Sequence, residues 1–199
     1  MASQSATATG GAVSQRSSIA ASAGLGVLAA AIGYLTSYVL IAGEVRDTFG
    51  GDVAEWKGVA WYVYNAHMVD IETSGSFGSF GGSDTVNLIA ESSSTSATAL
   101  YVIPPLVLLG TGAMLAIRFD AADIGEAVAV GAPVTIGYAV VVGLGALVAE
   151  SSGEGAIFGI EISGSAAPAL GPAVVLAGVL YPLVFATAGA VLAAVLDGR

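Results

Sequence analysis

Four stretches of this chain, residues 19–42, 98–117, 127–149 and 170–196, are predominantly apolar and contain no charged residue. About 20 such residues suffice for a helix to cross the hydrocarbon core of a bilayer, where every backbone N–H and C=O must be paired inside the segment. An all-round apolar helix has few other homes, because water would meet it on every side. The expected fold class is therefore an all-α membrane protein: a four-transmembrane-helix bundle joined by one long loop, residues 43–97, and two shorter connections. Composition agrees, with only 10% charged residues where soluble domains carry about 25%.

Residues 1–18 are rich in Ser, Thr, Ala and Gly and have nothing to bury, so a disordered tail is expected there. The first apolar run is long for a signal sequence and no small-residue cleavage site follows it, which favours a retained span. Four spans put both termini on one side, with Arg16, Arg118 and Arg199, against Arg46 and Lys57 on the other. Basic residues collect on the cytoplasmic side, so cytoplasmic termini in a cell membrane are expected. Eleven of the 15 acidic residues then face outward. A net charge of −10 with a single lysine reads as a salt-adapted, halophilic protein and leaves no footprint for nucleic acid.

The spans resemble one another in pairs. Residues 105–116, PLVLLGTGAMLA, match residues 182–193, PLVFATAGAVLA, at seven of twelve positions, and Ile-Gly-Tyr occurs at 32–34 and again at 136–138. Two repeated hairpins related by an axis along the membrane normal are the reading. Small-residue stripes mark helix contacts in lipid: Ser22, Gly26 and Ala30; Ala29 and Gly33; Gly178, Pro182, Ala186 and Ala190. Pro105, Pro133 and Pro182 each remove a backbone donor and predict kinks.

Within the long loop, Asp52 with Glu55 looks like a capping box, and Val53, Trp56, Ala60, Val63 and His67 follow at helical spacing. An amphipathic outer helix over about residues 53–69 is predicted, its aromatics suited to the membrane boundary. Trp61, Tyr64, Asn65 and His67 are the candidate binding residues, His67 being the only histidine. Residues 73–97 read as a flexible Ser/Gly/Thr loop, with strand character at 85–90 and in the second outer loop at 156–163, two pieces that could pair over the bundle mouth.

Catalysis finds no footing. There is no Cys, phosphate loop, dinucleotide fingerprint or zinc-protease motif, no lysine inside a span for a Schiff base, and no ionisable residue within the four cores. No enzyme activity, cofactor or metal is expected. The run KGVAWYVYNAHMVD at 57–70, followed by IPPLVLLG, TIGY and GVLYPLVF, resembles an uncharacterised family of haloarchaeal four-span membrane proteins with an aromatic Tyr-Asn-Ala-His segment after the first helix. That resemblance implies topology and organism class and no activity. The expected role is a non-catalytic structural or accessory subunit of an envelope assembly. The alternative is a small passive channel or transporter working as an oligomer, and the partners are the bilayer with other membrane proteins or further copies.

Overall fold

The computed structural model describes the backbone of residues 4–197 and the side chains of residues 17–197. Helix α1 spans Gln4–Phe49, so its range takes in most of the stretch expected as a tail; residues 1–3, and the side chains of 4–16, lie outside the described residues. A short helix α2 (Glu55–Ala66) follows, then one turn α3 (Leu88–Glu91) and the helices α4 (Thr95–Arg118), α5 (Ile124–Val148) and α6 (Leu170–Asp197). The four helices long and apolar enough to cross a membrane are Ser17–Phe49 within α1, then α4, α5 and α6. Each contains one of the four expected spans or falls within a residue of it.

Proline leaves its mark in three of them. A 3₁₀ turn at Leu100–Val102 precedes Pro104 and Pro105, α5 is interrupted at Ala132–Pro133 with i+3 bonds from Thr135 and Ile136, and a π-helical stretch at Ala173–Leu180 precedes Pro182. Each irregularity lies where a missing N–H forces the ladder to regroup.

Helices α4 and α6 run in the same direction and cross in backbone contact. A Cβ built on Gly112 would lie 1.8 Å from the Ala186 carbonyl oxygen, and one on Gly189 would lie 2.0 Å from that of Leu109. The contact is reciprocal: it pairs Gly112 with Gly189 and Leu109 with Ala186, which is also the pairing made by the sequence match between 105–116 and 182–193. Helices α1 and α5 cross in the same manner, Gly26 against the backbone of Val134 and Tyr138, Gly137 against that of Ala23 and Val27. Here the reciprocal pair is Gly26 with Gly137, whereas the Ile-Gly-Tyr match pairs Gly33 with Gly137, about two helical turns away. Gly33 meets nothing within 4 Å and packs on no helix at its missing side chain.

The all-α expectation is overturned by a four-stranded antiparallel sheet, with strands of 7, 7, 7 and 9 residues. Strands β1 (Ile71–Phe77) and β2 (Phe80–Val86) form a hairpin between α2 and α3, and β3 (Ser151–Ile157) and β4 (Ile160–Pro168) form another between α5 and α6. The hairpins join edge to edge in the order β2-β1-β4-β3. The two loops do pair, but through 71–77 against 162–168; residues 85–86 pair back on β1, and 156–163 is a hairpin end rather than one strand. An axis exchanging the hairpins would place β1 beside β3 or β2 beside β4, so the sheet departs from the symmetry of the helices. Its rows explain why it escaped detection. Gly82, Gly75, Gly164 and Gly153 align across all four strands, as do Ser83, Ser74, Ser165 and Ser152. No apolar face alternates with a polar one, and strand recognition depends on that alternation.

The helix crossings yield a test. Gly112→Ala should force α4 from α6 and cost about 1–3 kcal/mol, the range for overpacking a close contact. Gly110→Ala, whose added methyl meets nothing within 4 Å, should leave thermal unfolding in detergent unchanged.

Candidate functional site

Helix α2 carries all but the last of the candidate residues and lies against the sheet-side end of α5. It starts at Ala54, which makes no side-chain cap, so the expected Asp52–Glu55 capping box is absent. Glu55 instead accepts hydrogen bonds from Tyr38 at 2.5 Å and Arg46 at 2.8 Å, both on α1. The Tyr38 bond first, then that of Arg46, holds the Glu55 carboxyl below the usual carboxylate range.

Helix ends leave carbonyls without intrahelical partners, and α2 supplies donors to those of α5. The Trp61 indole N–H donates to the Ala149 carbonyl at 2.9 Å, and the Lys57 ammonium donates to the Glu150 carbonyl. About two turns deeper along α5, the Tyr64 hydroxyl donates to the Val142 carbonyl at 2.5 Å. Gly145 permits that approach, since a Cβ there would sit 2.8 Å from the Tyr64 oxygen.

His67 is wholly buried just beyond α2. Its Nδ1 lies 2.7 Å from the Val63 carbonyl, which only accepts, so Nδ1 carries the proton. Nε2 is then the acceptor for the Tyr138 hydroxyl of α5 at 2.8 Å. Burial pushes the imidazole down to about 4 despite the opposing bond from Val63, so the ring is neutral at neutral pH. Asn65 donates to the Val69 carbonyl and accepts from the Leu88 N–H, each at 2.8 Å, closing the turn that leads from α2 into the sheet.

The structure thus brings Trp61, Tyr64, Asn65 and His67 together as one buried bracket, with their polar atoms engaged by the protein itself. Of the four, Tyr64 lines a cavity of about 310 Å³ bounded also by α1, α5 and Pro104 of α4. Sequence reasoning missed the rest of its lining, Gly33 and Ser37 among them, because the space exists only where three helices diverge. Among the described residues no three His, Asp or Glu side chains gather to hold a metal.

A second exposed feature lies at the far end of the sheet. Both hairpins close in two-residue turns, and around them Phe80 is 80% exposed and Phe158 101%. Phe158 and Gly159 both have positive φ, 53° and 78°, the turn form for which Asn-Gly is the preferred pair. A bulky aromatic in the left-handed region is an outlier. Phe77, Ile157 and Ile160 add further exposed apolar surface beside it.

The chain matches, over residues 1–197, a family described as a family of unknown function (DUF7978). No curated protein and no solved structure matches it.

The buried imidazole sets a pH dependence. Its folded value lies below the ordinary 6.5, so the folded state binds fewer protons, and the contribution is complete above about pH 6.5 and lost as pH falls toward 4. A shift of that size is worth about 3 kcal/mol. His67→Gln should flatten the decline in melting temperature between pH 6.5 and 4 relative to the parent, measured in detergent by circular dichroism.

Proposed function

Because the chain belongs to DUF7978, a family of unknown function from which no activity can be carried over, we propose a role from its geometry: a non-catalytic accessory subunit whose membrane bundle holds the sheet out for another envelope protein to bind. Phe158 carries the reading. It is fully exposed, and it occupies a left-handed turn position that Asn would fill at lower cost. Stability alone gives no reason for Phe there; contact with a partner does.

The sheet supports the same role. Domains are built from layers that cover one another, and this layer is exposed on both faces except at its base, where Ile71 and Pro168 are buried. Strands of seven residues extend about 23 Å at 3.3 Å per residue, which carries the aromatic end clear of the base. The bias of basic residues toward the other side supports an outward-facing sheet with cytoplasmic termini. The alternative, a passive channel, would need a pathway between copies, since backbone contacts close both helix crossings within one chain.

Phe158→Asn separates binding from folding. It should leave hairpin stability equal or higher by about 1 kcal/mol, the low end of the cost of a non-Gly residue held in the left-handed region. A photo-crosslinking residue at Phe80 should capture a discrete adduct in native membranes, and that adduct should weaken several-fold in the Phe158→Asn chain. An adduct unaffected by the substitution, or none at all, contradicts this role. An adduct of twice the chain's mass moves it to self-assembly.

A further inference from the structure

The cavity beneath α2 has a chemistry of its own. Its bounding polar groups are already spent: the Tyr34 hydroxyl donates to the Trp56 carbonyl, Ser37 to the Gly33 carbonyl, Tyr64 to Val142 and Tyr138 to His67. Each of these hydroxyls has spent its proton, so a water here could only donate to their oxygens and would find no donor among them. The remaining lining is Gly, Ala, Val and Pro apart from Trp56. The lining therefore suits hydrocarbon best.

The cavity also has an opening and a head. Ala31, Val148 and Trp56 line it and are exposed, so it opens on the outer surface of α1 and α5, the surface that lipid would touch. At the Trp56 edge stands the Lys57 ammonium, 5.5 Å from the indole centroid. Of the two cationic side chains at this end of the bundle, Arg46 is paired with Glu55, whereas Lys57 has no carboxylate partner among the described residues and spends one of its three donors on the Glu150 carbonyl. In a chain of net charge −10, an uncompensated ammonium beside an indole suits a phosphate.

We infer that this cavity binds one hydrocarbon chain of an anionic glycerophospholipid, with the lipid phosphate at Lys57. Gly33 is the position that makes the room: it is buried, yet a side chain added there would meet nothing within 4 Å. The lipid would fill what is otherwise a void in the angle between α1, α2 and α5, where missing contacts cost stability in proportion to the empty volume.

The test is native mass spectrometry of the purified full chain in mild detergent, titrated with phosphatidylglycerol or with phosphatidylcholine of the same chains. One lipid should be retained per chain, phosphatidylglycerol several-fold better than phosphatidylcholine. Gly33→Leu, which fills the cavity, should abolish retention of both, while Gly24→Leu, an equal addition at an exposed position of the same helix, should behave as the parent. Lys57→Gln should reduce phosphatidylglycerol to the phosphatidylcholine level. If Gly33→Leu fails to fold, Ala31→Phe at the exposed opening tests the same point. Equal retention by the parent and the filled cavity, no retention by the parent, or a headgroup preference that survives Lys57→Gln overturns the assignment.

Discussion

Close backbone approach at four glycines governs this architecture. In lipid no hydrophobic drive pulls helices together, so association depends on how near the backbones can come and how many atoms then touch. Gly112 and Gly189 bring α4 against α6, while Gly26 and Gly137 bring α1 against α5. Because each pair runs parallel, both intervening hairpins emerge at the same end of the bundle and close to each other. The β1–β4 pairing that makes one sheet of them is a consequence of those crossings.

Helix α2 solves a second problem that the crossings create. Helix α5 ends at Val148 with carbonyls that have no partners in the following strand, and α2 delivers an indole N–H and an ammonium to them. Reaching those carbonyls brings α2 to the sheet-side end of α5, where it is also bonded to α1 through Tyr34 and Tyr38. Three helices diverging from such a junction cannot fill the space between them with the small residues that line it, and the cavity is what remains. The same side chains that look like a binding cluster, Trp61, Tyr64 and His67, are thus fasteners, and the space suited to a ligand lies beside them.

The sheet stands apart from this logic. Its hairpins enter an asymmetric pairing, with two edges left open and two faces uncovered, and it ends in Phe158, held in a turn, and in Phe77 and Phe80 at the ends of their strands. Serine pairs across the central strands, Ser74 with Ser165 and Ser76 with Ser163 at 2.8 Å each, supply the cross-strand contacts that an apolar face would otherwise provide. The result is a projecting element whose rigidity comes from hydrogen bonds and from its anchored base.

The amino-acid sequence by itself determined the four spans, since length and unbroken apolarity are properties of a segment and need no partner. It likewise determined α2 to within a few residues at each end, and it showed the match of 105–116 with 182–193, whose offset is the one at which Gly112 and Gly189 meet across α4 and α6. The α1–α5 register was not legible, because in apolar helices a short identity such as Ile-Gly-Tyr recurs without regard to which glycine meets a backbone. The sheet was invisible for a related reason: rows of Gly and Ser carry no alternation when neither face is buried. Whether Trp61, Tyr64, Asn65 and His67 bind a ligand or hold the protein together was decided only by tertiary structure, because a polar side chain is available or spent according to what lies 3 Å from it, and for Trp61, Tyr64 and His67 that distance is set by residues some 70 to 90 positions away.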